Sequence, residues 1–221
     1  KPDAGLSELV TAGLPSVALR VPAHPVAQRL LAEFAGPVAA PSANPSGQIS
    51  PTTADHVLHG LSGRIDAVID GGPCAVGLES TIALSDGDKV AVLRDGGVTR
   101  EQIEACLGQP VTEAGHSDTP PAPGQLASHY APSVQVRLNA EARRAGELLL
   151  GFGPDIADAD LNLSPAGDLI EAAANLFGYL RQMDERAPRQ GIATIAVSPI
   201  PMTGLGAAIN DRLKRAAAPR G

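Results

Sequence analysis

Aromatic residues are almost missing from this chain: three Phe, two Tyr and no Trp stand among 221 residues. With 43% hydrophobic content the chain still has material for cores, and those cores must be aliphatic and alanine-rich. Cysteine is equally scarce. Cys74 and Cys106 form no CxxC pair and have no nearby His cluster, which argues against zinc and reads as two reduced residues of an intracellular protein. Positive charge is also in short supply. A net charge of −7 without a basic run argues against direct, salt-dependent nucleic-acid binding. The densest basic segment, with Arg212, Lys214, Arg215 and Arg220, reads as the end of a C-terminal helix, where cations suit the dipole. No apolar run approaches the roughly 18 residues of a membrane span, and no signal peptide opens the chain, so the expectation is a cytoplasmic protein with no membrane partner. An initiator Met is lacking too. The start Lys1-Pro2-Asp3-Ala4-Gly5 leads straight into Leu6–Val10, as expected of a fragment.

What is present in quantity is turn chemistry. Pro41-Ser42-Ala43-Asn44-Pro45-Ser46-Gly47-Gln48-Ile49-Ser50-Pro51-Thr52-Thr53 follows the apolar run Val38-Ala39-Ala40. Gly tolerates positive φ, Pro fixes the chain, and Ser and Asn supply local hydrogen bonds, which suits a backbone that must approach a nucleotide or phosphate closely. Ser50-Pro51 reads as N-cap and first residue of a helix to about Leu61, whose N-terminus would favour an anion. A well-capped strand-to-helix connection explains the same residues without any ligand.

At about 100–200 residues per domain the chain is one or two domains. Strands are expected at Val17–Val21, Pro37–Ala40, Ile65–Ile69, Glu79–Leu84 and Lys89–Leu93, with a helix at His24–Phe34 carrying Val26, Leu30 and Phe34 on one face. Thr99-Arg100-Glu101-Gln102 is a capping box for a helix ending at Gly108. Residues 112–133 are rich in Pro, Gly, Ser and Ala and read as a linker or lid. Beyond it, Val134–Leu138, Glu147–Phe152 and Ile192–Val197 read as strands, and Ser164-Pro165 caps a helix carrying Leu169, Leu176, Phe177, Leu180 and Met183. A helix over Gly206–Ala217 closes the chain. Alternating strands and helices predict a small α/β layer with parallel strands.

Several side chains fit polar chemistry. Arg20, inside an apolar strand pattern, needs an anion or a carboxylate partner. Arg94 precedes Gly96-Gly97, which would let a ligand approach, and its structural partner would be Asp95 or another acid. Ser80 begins a strand, either as an edge hydroxyl or as a contact to a polar substrate, and its surroundings are not a nucleophile elbow. His129-Tyr130 either pins the linker or closes over a ligand. Gly151-Phe152-Gly153 is too short a pattern for a dinucleotide site. Two arginines, a Ser/Asn-rich loop and strand-end hydroxyls favour a nucleotide plus a small polar substrate.

In this order, Val17-Ala18-Leu19-Arg20-Val21-Pro22, Ala40-Pro41-Ser42-Ala43-Asn44, Asp70-Gly71-Gly72-Pro73, Gly77-Leu78-Glu79-Ser80-Thr81 and Leu93-Arg94-Asp95-Gly96-Gly97 resemble the YrdC-like family. Pro123-Gly124, His129-Tyr130-Ala131-Pro132 and Asn210-Asp211-Arg212-Leu213 resemble its two-domain members, the threonylcarbamoyl-AMP synthases. The resemblance implies a twisted mixed sheet with helices over residues 1–111, the linker over 112–133 and a smaller Rossmann-like α/β domain over 134–221. It implies formation of L-threonylcarbamoyl-AMP and pyrophosphate from L-threonine, bicarbonate and ATP, with Mg²⁺ on the triphosphate, for tRNA threonylcarbamoyladenosine modification completed by partner proteins. It places Ser16, Ser42, Asn44, Ser50, Arg94 and Tyr130 at ATP, and Arg20, Ala40 and Ser80 at threonine, and names no catalytic residue. It further implies a basic Lys/Arg motif ahead of Lys1, so the parent protein is expected to be an enzyme and this piece alone weak or inactive. Arg94-Asp95 departs from the family's Arg-Pro. The competing expectations are a non-catalytic ATP- or adenylate-binding module, a carbamoyl-transferring relative and an RNA-binding protein.

Overall fold

The computed structural model describes residues 5, 7–11, 16–113 and 129–219. Residues 114–128 of the expected linker, with Pro123-Gly124, lie outside them, as do Lys1–Ala4 and Arg220. The chain divides into two compact units, Lys1–Ser42 and Ala43–Gly221.

The first unit holds two helices, α1 (Glu8–Thr11) and α2 (Pro25–Phe34). His24 caps α2 by accepting the Val26 N–H, Pro25 supplies a preset φ at the first position, and Ala35 ends the helix in the left-handed region at φ 54°. The expected stripe of Val26, Leu30 and Phe34 is there, but none of it is buried within the described residues. The expected strands at Val17–Val21 and Pro37–Ala40 do not form, and neither does Ile65–Ile69 in the second unit. Apolar residues alone do not make a strand. Its N–H and C=O groups need a neighbouring strand, and among the described residues none pairs with these segments.

The second unit contains α3 (Ala54–Leu61), then β1 (Ile82–Asp86) and β2 (Lys89–Arg94), then α4 (Arg100–Leu107) and β3 (Thr112–Glu113). It continues through β4 (Gln135–Arg137), β5 (Glu147–Gly151) and β6 (Leu161–Asn162) to α5 (Leu169–Arg189), β7 (Thr194–Val197) and α6 (Leu205–Ala217). The strands β1 and β2 form an antiparallel hairpin, Asp86 facing Lys89 across Gly87-Asp88, with Gly87 at φ +60°. The capping box on α4 forms as the spacing predicts, with Gly108 ending the helix at φ 67°. Through α4 the chain returns to place β3 parallel to β2, which gives a mixed sheet β1-β2-β3.

A second sheet has the order β4-β7-β5-β6 with every pairing parallel. Its central strands β7 and β5 are buried, and α5 and α6 cover one face. Leu148 and Leu150 of β5, Ile195 and Val197 of β7, Leu176, Phe177, Leu180 and Met183 of α5, and Ile209 and Leu213 of α6 make the core. The intervening Leu149 and Ala196 point to the other face, against Ala140, Ile156 and Ala159. The α5 cap differs from the Ser164-Pro165 expectation. Asp168 accepts the N–H groups of Ile170 and Glu171, and Ser164 Oγ accepts the Asp168 N–H at 2.9 Å, because a carboxylate nearer the first turn reaches two free donors at once. Among the described residues no helix is long and apolar enough to cross a membrane.

Candidate functional site

The turn-rich loop closes on itself first. Asn44 Nδ2 donates to the carbonyls of Pro45 (2.9 Å) and Gln48 (3.2 Å), and Gly47 turns the chain at φ +81°. The second half of the loop is anchored. Ile49 enters the main core, Ser50 and Thr52 are buried, and Arg181 of α5 donates to the Ile49 carbonyl. The helix after the loop does not start at Ser50. Thr53 is the N-cap, accepting the His56 N–H, and Asp55 sits in the first turn. Ser50 lies three residues before that cap, and its hydroxyl is turned to Glu79, donating to Oε1 at 2.7 Å. Burial, then the Arg181 charge, holds His56 below its ordinary pKa.

Glu79 joins several elements. Its other oxygen, Oε2, accepts Arg212 Nε of α6 at 2.8 Å, and Arg212 Nη1 donates to Asp211 at 2.7 Å. Burial pushes the Glu79 carboxyl up, but the Arg212 guanidinium and the hydrogen bonds from Arg212 and Ser50 outweigh it, leaving the group below the usual carboxylate value. The sequence places Arg212 in a basic segment expected at a helix end. Instead it is 1% exposed and lies 5.6 Å from the centre of the Tyr130 ring. Tyr130 is buried as well, at φ +61°, with His129 edge-on at 4.0 Å and Phe177 at 5.3 Å. On either side of Tyr130, the His129 N–H donates to the Arg215 carbonyl and the Ala131 N–H to the Gly47 carbonyl at 3.0 Å. Burial raises the Tyr130 pKa and lowers that of His129.

Arg94 closes the other side. Its Nε and Nη2 donate to the Ser80 carbonyl at 3.2 and 2.7 Å, while Asp95, its expected partner, pairs with Arg100 at 2.8 Å. The glycines after Arg94 serve close packing. A Cβ on Gly96 would stand 2.3 Å from the Glu79 carbonyl, and the Gly97 N–H donates to that same oxygen. Gly77, at φ +69°, presses its backbone onto α5, where a Cβ would fall 2.2 Å from the Ala173 carbonyl. Thr81 is a staple rather than a free hydroxyl: it donates to the Val98 carbonyl and accepts the Val98 N–H.

Five of the nine expected site residues lie in the second unit: Ser50, Ser80, Arg94 and Tyr130 are linked to Glu79 directly, through the backbone next to it or through Arg212, and Asn44 braces the loop that carries Ser50. The other four, Ser16, Arg20, Ala40 and Ser42, belong to the first unit, where each is exposed. A cavity of about 390 Å³ bordered by Val76, Gly97, Thr99, Gln102, Leu169 and Leu205 is lined by none of the nine. Glu79 and Arg212 are not among the nine expected site residues. Arg212 had a signal: with Ile209, Leu213 and Ala216 it lies on the apolar stripe of α6, and a cation there requires a buried carboxylate.

Two family models match the chain. One, named for Sua5, YciO and YrdC and described as "Telomere recombination", matches residues 1–96. The other, "Threonylcarbamoyl-AMP synthase, C-terminal domain", matches residues 98–218. Among curated relatives, the threonylcarbamoyl-AMP synthase of Bacillus subtilis is 40% identical over all of this chain and 68% of its own length. That of Pyrococcus abyssi is 37% identical over 94% of this chain and 66% of its own. The crystal structure of P. abyssi Sua5 complexed with L-threonine superimposes with a TM-score of 0.82 at 34% identity, over 97% of this chain and 68% of that one. The chain therefore spans about two thirds of the length of these relatives.

Proposed function

This chain belongs to the threonylcarbamoyl-AMP synthase family, and on that footing we propose that the protein carrying it is an L-threonylcarbamoyladenylate synthase. The threonine amine and bicarbonate combine into a carbamate with loss of water. A carbamate oxygen then attacks the α-phosphorus of ATP, and pyrophosphate leaves. The protein's work in such a transfer is positioning and charge stabilisation. In this reading Ser16, Ser42, Asn44, Ser50, Arg94 and Tyr130 hold ATP, and Arg20, Ala40 and Ser80 hold threonine, with the Arg20 guanidinium suited to the amino-acid carboxylate. An Mg²⁺ accompanying the triphosphate belongs to the same proposal.

The observation that carries the reading is the near-complete superposition on a relative crystallised with L-threonine. The linkage of Ser50, Ser80, Arg94 and Tyr130 around Glu79 supports it. We also propose the division into a catalytic domain over 1–111, a linker over 112–133 and a C-terminal domain over 134–221, since one sheet ends at Glu113 and the next begins at Gln135. The adenylate would pass to separate tRNA-modifying proteins in the cytoplasm, in keeping with a chain of net charge −7. The test is pyrophosphate release from ATP. It should require both threonine and bicarbonate. Release without either one sinks the assignment, and ATP binding with no turnover under full substrate favours a non-catalytic nucleotide module.

A further inference from the structure

Arg212 is a buried charge that the proposed reaction does not use. Burying a guanidinium is costly unless its donors find acceptors, and a buried ion pair is often no better for stability than an apolar replacement. Its position therefore calls for an explanation beyond stability. Its two contacts outside α6 lead to the same place. Through Glu79 it reaches Ser50, and through Tyr130 and the adjoining Ala131 N–H it reaches Gly47. Gly47 and Ser50 are the two ends of one short stretch of the nucleotide loop.

We propose that Arg212 is a positioning residue for ATP: from α6 it fixes Glu79 and Tyr130, and through them the loop 47–50. This rests on the assignment of that loop to ATP. A serine hydroxyl has one proton to give, and Ser50 gives it to Glu79, so Ser50 meets a nucleotide with its lone pairs alone. Glu79 is tolerable beside a triphosphate because Arg212 compensates its charge. Without Arg212, Glu79 would be an uncompensated carboxylate beside the nucleotide loop, and that loop would keep its Arg181 and Ile49 anchors but lose the one that runs through Glu79.

The test uses the full-length protein carrying this chain, with Arg212→Met, Glu79→Gln, the double variant and Arg212→Lys. ATP affinity is measured by calorimetry without threonine, and amide exchange is followed at Gln48–Ser50 and Ala131. Arg212→Met should weaken ATP about tenfold or more, while the double variant recovers to within about threefold of Glu79→Gln alone, the coupling expected of a charge pair. Loop amides should exchange faster in Arg212→Met while those of Leu148–Leu150 stay at parental rates. Should Arg212→Met not fold, Arg212→Lys, which keeps the charge but loses the fork, should show the same pattern at about a third of the effect. The inference is overturned by affinity within about twofold of the parent, by a double variant as poor as Arg212→Met, or by exchange that rises equally in loop and core. A parent that does not bind ATP overturns the functional assignment instead, and the exchange data then decide the role of Arg212.

Discussion

The two sheets of the second unit are built to opposite specifications. In β5 and β7 nearly every residue is buried, and α5 and α6 seal one face. In β2 only Val92 is fully buried, α4 has no buried residue, and Leu84, Val98 and Leu107 are exposed. The sheet nearer the candidate site is thus the loosely packed one. The segments that precede it are fastened to the helices of the other: Glu79 by Arg212, Ile49 by Arg181 and Gly77 against α5. Regions of low packing open locally at small free-energy cost. A site that must admit and release substrates sits well on such a region, provided something rigid holds its geometry.

The comparison breaks first on core truncation. Leu180→Ala, at a site with no exposure, should cost about 2–5 kcal/mol in urea unfolding, and Leu84→Ala under about 1 kcal/mol. Equal costs would mean that the two sheets carry stability alike. Next comes the fastening at Gly77. Gly77→Ala combines a positive φ with a backbone collision and should cost about 2 kcal/mol, read as faster proteolysis of the 43–113 region before the C-terminal sheet opens. Cleavage of both regions together would show one cooperative block. The smallest effect concerns pH. The Arg137 side chain of β4 donates to Glu147 at the start of β5 and holds its carboxyl down at about 2. A depressed carboxylate contributes stability that is present above its unfolded pKa and is lost as pH falls toward the folded value. Thermal stability should therefore decline as pH drops from about 4.5 to 2, and Glu147→Gln should flatten that decline. A variant that keeps the full acid slope would assign it elsewhere, with Glu79, depressed in the same sense, the first residue to examine.

Much was legible where the determining contacts are local. The capping box of Thr99 and Gln102, the Gly87 hairpin, the αL end at Gly108 and the start of α2 at His24-Pro25 all lie within a few residues of what they control. The expected strand at Val17–Val21 and the helix cap at Ser50 were misread for a common reason. Each depended on a partner distant in the chain: a neighbouring strand that none of the described residues supplies, and Glu79, 29 residues on. The order of motifs carried the family, which no single motif could.

By itself the sequence determined the family, the parallel α/β character of the C-terminal half and most helix ends, because periodicity, capping and motif order are properties of neighbouring residues. The tertiary structure alone decided that Ser50 gives its proton to Glu79, and that an arginine 133 residues beyond Glu79 balances that carboxylate. Burial and charge pairing exist only once distant segments meet, and at both groups the pairing outweighs the push of burial toward the neutral form.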